Sequence, residues 1–270
     1  MIKYLVPTDY SKNATEALQY AIQLSNKQPS IIYLLHVYRV KEKAGMIMSF
    51  EEKLQEDNEL QLEDLVATLA HQMDENTRVE IKALSGDAAQ LIQWMAELNG
   101  VDYIIMGAQG ETRDSNVAFG STLGGVIKNT KTPVLVVPPD YHGKLPKRIL
   151  FAFRKLTTHA HELVRPFRWM LSICGAKLSV LHVLVNEEDT MEVELGDLFT
   201  HQAFNEAEIE ATSLPVGVQT YLTDHPVDWV CMIKRNRGIF ERLFTTNRFY
   251  KSDFSIPVPV LLIPELTTTI

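Results

Sequence analysis

Short apolar runs alternate along this chain with longer stretches in which apolar residues return every three or four positions. Runs near 2–7, 31–38, 79–84, 102–107 and 133–138 read as strands. Stretches near 12–27, 50–75, 87–99 and 121–130 read as helices. In the first of these, Ala14, Ala17, Leu18, Ala21 and Leu24 fall on one face. Gly86-Asp87 punctuates the start of the third helix and Asn99-Gly100 its end. Such alternation predicts an α/β protein: a doubly wound parallel sheet, right-handed crossovers, and helices over both sheet faces.

The order then repeats. Leu34-Leu-His-Val37 returns as Val180-Leu-His-Val183, an offset of about 146 positions in the numbering. Asp102-Tyr-Ile-Ile-Met106 returns as Asp228-Trp-Val-Cys-Met232, and Pro133-Val-Leu-Val-Val-Pro138 as Pro259-Val-Leu-Leu-Ile-Pro264, both offset by about 126. Two tandem βα domains are expected, 1–140 and 147–270, joined by the turn-rich Pro139-Asp-Tyr-His-Gly-Lys-Leu-Pro146. The second copy is shorter. A strand is expected to end at Leu222, too close to the one starting at Asp228 for a parallel crossover. Either the third helix is missing there or that part of the sheet is rearranged.

Composition changes this picture little. The balance of 26 Lys and Arg against 34 Asp and Glu, a net charge of −8, argues against a general affinity for nucleic acid or anionic membranes. The apolar runs are too short to span a bilayer, and Met1-Ile-Lys-Tyr leads straight into a strand, so a cytoplasmic protein is expected. Cys174, late in a helix, and Cys231, in an apolar run, read as small core residues, not as a disulfide or metal pair.

The candidate chemistry lies in Gly107-Ala-Gln-Gly110, nine further residues, and Gly120-Ser121. It follows an apolar strand and opens a helix, the arrangement from which phosphate cradles are built. Glycines admit a polyphosphate close to the backbone, and free N–H groups at a helix start meet its charge. Ser121 and Thr122 offer hydroxyl and N–H donors. Asp9, just beyond the first strand, is placed to accept from ribose hydroxyls, or else to cap the following helix in competition with Ser11 and Asn13. His36, repeated as His182, reads as a core histidine. The lysine motif of P-loop enzymes is missing, and Glu111, Arg113 and Asp114 read as solvated loop charges, so no catalytic residue is assigned.

Val6-Pro-Thr-Asp-Tyr-Ser11, Leu35-His-Val37, Ile105-Met-Gly-Ala-Gln-Gly110, Gly120-Ser-Thr122 and Pro133-Val-Leu-Val-Val137 together resemble the universal stress protein family. The resemblance implies a doubly wound domain with a five-stranded parallel sheet, and the glycine pattern is that of the ATP-binding branch; another branch lacks it. It implies a nucleotide site formed by Pro7, Thr8, Asp9, Val37, Met106, Gly107, Gly110, Gly120, Ser121 and Thr122. Asp9 would meet the sugar, Val37 the adenine and the glycines the phosphates. A Mg²⁺ ion beside the phosphates is left open. It also implies pairing of two domains through their last strands, here Pro133–Val137 with Pro259–Ile263. Dimerisation of whole chains stays open, as does an unknown protein partner.

The second copy has lost the pattern. Gly107, Gly110, Gly120 and Ser121 become Ile233, Asn236, Thr246 and Asn247, and Asp9 becomes Arg154. Lys234, Arg235, Arg237, Arg242 and Arg248, with Arg154, read either as an anion pocket or as a solvated basic face. His159 and His161 read as surface helix residues, not metal ligands. The segment 39–60, with Met46–Phe50, reads as a flap or a packing patch. A nucleotide-dependent stress or signalling module is the expected function, against an ATP-independent scaffold or, less favoured, a slow ATPase.

Overall fold

The computed structural model describes residues 1–40, 48–110, 117–234, 249–250 and 256–265. The N-terminal half runs β1 (Ile2–Thr8), α1 (Lys12–Ser25), β2 (Ser30–Tyr38), α2 (Met48–Leu69), β3 (Thr77–Ser85), α3 (Ala88–Asn99), β4 (Tyr103–Gly107), β5 (Val117–Phe119), α4 (Ser121–Asn129), β6 (Val134–Val137). The C-terminal half runs β7 (Arg148–Phe153), α5 (Ala160–Leu163), α6 (Arg165–Cys174), β8 (Lys177–Leu184), α7 (Leu195–Leu198), β9 (Phe204–Glu210). It ends with α8 (Leu214–Asp224), β10 (Trp229–Lys234), β11 (Phe249–Tyr250) and β12 (Val260–Pro264).

The helices start where side chains supply the missing acceptors. Ser11 accepts from the Ala14 N–H at the start of α1, and Asp87 from the Gln90 N–H at the start of α3. Gly100, in the left-handed conformation at φ 57°, ends α3. The expected apolar face of α1 is buried along its length.

Ten strands form one sheet in the order β3-β2-β1-β4-β6-β12-β10-β7-β8-β9. Every pairing within a half is parallel, and β6 meets β12 antiparallel, Leu135 opposite Leu261. The second five strands therefore mirror the first five across that seam. Successive strand residues face opposite sides: Tyr4 and Val6 pack with α1, and Leu5 with α3 and α4. The core is thus two layers, one on each face, each continuous across both halves. A short ladder of β11 against β5 links the halves a second time. Among the described residues, no helix is long and apolar enough to cross a membrane.

The C-terminal half corrects the sequence reading in one place. Residues up to Leu222 form α8, not a strand, so the third helix is present. Ser213 accepts from the Val216 N–H, and Pro215 sits in the first turn, where its missing N–H costs nothing. The element that shrank is the crossover between β8 and β9, where four-residue α7 stands in place of 22-residue α2. In the N-terminal half, α2 ends at Leu69 and a 3₁₀ turn, Ala70–Gln72, follows it.

Polar side chains stitch the seam. Trp229, wholly buried on β10, donates its indole N–H to the Tyr20 hydroxyl on α1, and the Tyr103 hydroxyl donates to the Pro166 carbonyl at 2.6 Å. Lys234, buried at the end of β10, donates to the Ile127 and Lys128 carbonyls at the C-terminal end of α4. A cation suits that end of a helix. Burial nevertheless draws the Lys234 ammonium down to about 8. An unfolded chain keeps that proton until about pH 10.4. Between these values the unfolded state binds more protons, so this group makes stability rise with pH. In urea unfolding, Lys234→Met should therefore gain less stability than the wild type from about pH 8 to 10. Equal gains would show that Lys234 does not titrate in that window.

Candidate functional site

The strand order reverses between β1 and β4, and in doubly wound sheets the crevice beyond such a point is where ligands bind. A cavity of about 550 Å³ opens there, within the span of small-molecule sites. Pro7, Thr8 and Asp9 line it from the end of β1, Val37 from β2, and Met106, Gly107 and Gly110 from β4 and its loop. Gly120, Ser121 and Thr122 complete it at the start of α4. The structure thus brings all ten residues singled out from the sequence into one cleft.

The chain turns sharply after β1. Tyr10 takes a left-handed conformation at φ 62°, its N–H donating to Thr8 Oγ1 at 3.0 Å and its ring lying 4.6 Å from that of His36. His36 Nδ1 lies 2.8 Å from the Thr8 carbonyl, so this histidine braces the end of β1. Ser11 caps α1, and Asp9 does not; its exposed carboxylate accepts from the Ser11 N–H at 3.1 Å.

Buried Asn13 sets the loop after β4. Its Oδ1 accepts from the Gln109 N–H at 3.0 Å, and its Nδ2 donates to the Val137 carbonyl at 3.2 Å. Each glycine of the pattern answers a different neighbour. A Cβ on Gly107 would stand 2.8 Å from the Asn13 carbonyl oxygen, and one on Gly110 would stand 2.5 Å from Asp9 Oδ2. At Gly120 a Cβ would meet only ordinary contacts, the nearest being the Gly110 nitrogen at 3.7 Å. It would sit in the hollow of the loop. There the Gly120 N–H donates to the Ala108 carbonyl at 2.8 Å, and α4 begins without a side-chain cap.

The lining of the cleft is of two kinds. Leu35, Val37, Ile92 and Met106 are apolar. The start of α4 adds the exposed residues Ser121 and Thr122, which carry hydroxyls. Backbone N–H groups and the helix dipole there favour an anion. Asp9, exposed in the lining, carries carboxylate oxygens able to accept hydrogen bonds. Such a cleft suits a flat apolar group joined through a polyol to phosphate.

Several lining residues escaped the sequence reading, notably Leu35, Arg39, Ala88, Ile92 and Gln109. Arg39 follows Val37 by two positions, at the carboxyl edge where charged ligand-facing residues gather, and that spacing was the available signal. Its exposed side chain lies 3.9 Å from Asp87. Glu111, Arg113, Asp114, Met46 and Ile47 lie outside what the structure describes, and Met48–Phe50 open α2.

The C-terminal half shows what became of the equivalent place. Thr8 pairs with His36 and Phe153 with His182, so Arg154 stands where Asp9 does. Likewise Gly107 pairs with Val137 and Ile233 with Ile263, so Ile233 stands where Gly107 does. Arg154 is held by a carboxylate of its own half. Its guanidinium clamps buried Asp189, Nε to Oδ1 at 3.0 Å and Nη2 to Oδ2 at 3.1 Å. Lys234 is likewise engaged, on α4. Arg235, Arg237, Arg242, Arg248, Asn236, Thr246 and Asn247 lie outside the described residues. His159 and His161 are exposed beside and on α5. His182, buried, lies 2.8 Å from the Arg154 carbonyl. Cys174 closes α6, where burial raises its thiol to about 12, and burial raises that of Cys231 as well.

Desolvation alone would raise the Asp189 carboxyl. Hydrogen bonds from Arg154 and from the Val185 and Asn186 N–H groups outweigh it and hold the group below its ordinary value. Asp189→Ala should cost about 2 kcal/mol, less than a fully buried pair because the Arg154 side chain retains 22% exposure. Denaturant unfolding measures this, and a loss near zero would mean that the clamp contributes nothing.

Comparison with known proteins settles the relationship. The model of the universal stress protein family matches residues 1–138. The chain belongs to the universal stress protein family. Two universal stress proteins of Methanocaldococcus jannaschii are similar to it. One is 32% identical over 154 residues, covering 50% of this chain and 93% of its own. The other is 30% identical over 140 residues, covering 50% and 81%. Among solved structures, a universal stress protein from Archaeoglobus fulgidus matches both halves, covering 98% of this chain and 97% of its own. Its TM-score is 0.71 at 17% identity, a likeness of fold alone.

Proposed function

We propose that this universal stress protein binds ATP in the cleft of its N-terminal half and acts as a nucleotide-dependent stress or signalling module. The observation that carries this is the convergence of a glycine-lined helix start, an apolar slot and the Asp9 carboxylate on one cavity. Adenine fits the slot, the ribose hydroxyls reach Asp9, and the phosphates lie against the loop and Ser121. Binding is favoured over turnover because Asp9 is the only carboxylate among the described residues of the lining, and it is committed to the sugar. The C-terminal half takes no nucleotide in this manner, since Arg154 is clamped by Asp189 and Ile233 fills the place of Gly107.

Calorimetric titration of nucleotide-stripped protein with ATP and Mg²⁺ tests this. We expect one site per chain, weakened at least about tenfold in Asp9→Ala, the loss of hydrogen bonds at a charged group. Two sites per chain would refute the assignment of the C-terminal half. Folded protein that binds no ATP would refute the reading as a whole.

A further inference from the structure

We propose that the segment joining the halves carries a divalent transition-metal site formed by Glu16, Asp140 and His142. One ligand atom from each lies within 4.8 Å of the others, and no cleft residue is among them. Asp140 and His142 are two positions apart, but Glu16 lies 124 residues before Asp140, which is why no motif announces the three together.

Glu16 is the anchor. Its side chain, on α1, keeps only 5% exposure. Oε2 accepts from Asn13 Nδ2 at 3.2 Å and from the Asp140 N–H at 3.1 Å. Oε1 is buried and accepts no hydrogen bond. A desolvated carboxylate oxygen without a donor is costly, and a cation is what relieves it.

The hollow already attracts positive charge. The Lys12 ammonium hydrogen-bonds Asp140 and lies 3.7 Å from Glu16 Oε1, too far to donate to it. Lys12 therefore stands as a tethered monocation where a metal would sit. Its side chain is 59% exposed, so the ammonium withdraws into water when a dication arrives. Two carboxylates then balance the metal charge. The imidazole selects a late first-row ion, zinc above all, over calcium or magnesium, with water completing the shell.

The ligands are held ready. Asp140 takes a left-handed conformation at φ 58° and is tied through its N–H to Glu16. The Tyr141 ring sits edge-on to that of Tyr20, centroids 5.7 Å apart, and the Tyr20 hydroxyl donates to the Lys144 carbonyl at 3.4 Å. His142 lies between these anchors. A metal here clips the linker to α1, one side chain from Asn13, which holds the cleft loop.

The test uses the full chain, stripped with chelator and titrated with zinc alone against a chromophoric zinc indicator; cobalt(II) supplies visible bands. We expect one zinc per chain, with affinity at least about tenfold weaker in His142→Ala, since even loss of an outer-shell partner of a metal ligand costs about that much. Lys12→Ala should bind zinc more tightly than the wild type, since it removes the competing ammonium. Both changes are at exposed side chains, so circular dichroism should be unchanged. Zinc binding that persists unweakened in His142→Ala, that is not tightened in Lys12→Ala, or that is absent from the folded wild type, would overturn the site.

Discussion

Gly110→Val should abolish measurable ATP binding while leaving the protein folded. The new Cβ would lie 2.5 Å from Asp9 Oδ2, so one of the two must move. Asp9 is exposed and its carboxylate is the end of a side chain, so it is the group that moves, giving up its hydrogen bond from the Ser11 N–H. The displaced group is the proposed ribose acceptor, and the isopropyl group also fills the loop under the phosphates. Hydrogen bonds involving a charged group contribute about 1.5–3 kcal/mol. Losing one, together with the approach to the backbone, should weaken ATP by about a hundredfold or more. Because the variant acts partly through Asp9, combining it with Asp9→Ala should cost less than the sum of the two. Calorimetry reads the affinity and thermal unfolding reads the fold. An affinity within about threefold of the wild type would show that phosphates do not lie on this loop.

Gly107→Val should fail in the opposite way. Here the added carbon would meet the Asn13 carbonyl oxygen at 2.8 Å and its carbon at 2.9 Å, backbone against backbone. Neither side can rotate away, because α1 is packed on the sheet and Gly107 is paired with Val137. Overpacking of this kind costs about 1–3 kcal/mol when side chains can give, and more when they cannot. We expect a loss above about 3 kcal/mol, read as a fall in the unfolding midpoint of roughly 10 °C. A variant as stable as the wild type would mean that α1 yields, and Asn13 would then no longer fix Gln109. The two glycines belong to one motif, but Gly110 makes room for the Asp9 carboxylate and Gly107 for the backbone of α1.

The sequence showed the cleft better than it showed the reasons for its residues. Strands buried on both faces announce themselves as apolar runs, so β1, β2, β4 and β6 were legible, and their carboxyl ends located the site. The role of Gly107 was not legible, because its neighbour Asn13 comes from a different element. In α8, Val216 and Val218 flank Gly217 in a pattern that resembles a strand. Gly217 is there because a Cβ would stand 2.6 Å from Val183, and its absence lets the helix settle on β8. Arg154 looked like a free cation because Asp189 lies 35 residues away, in a stretch with no periodicity. Lys234 looked solvated among other basic residues, although it ends a strand buried throughout.

The antiparallel seam between β6 and β12 has a consequence for how the protein responds to its own abundance. A seam between two separate chains comes apart on dilution, and every substitution in it appears twice. Here both strands belong to one chain, and the tether keeps their effective concentration high however scarce the protein becomes. A ten-stranded sheet closed within one chain holds its seam as well at low concentration as at high. Leu135 and Leu261, facing each other across the seam, are also free to change one at a time.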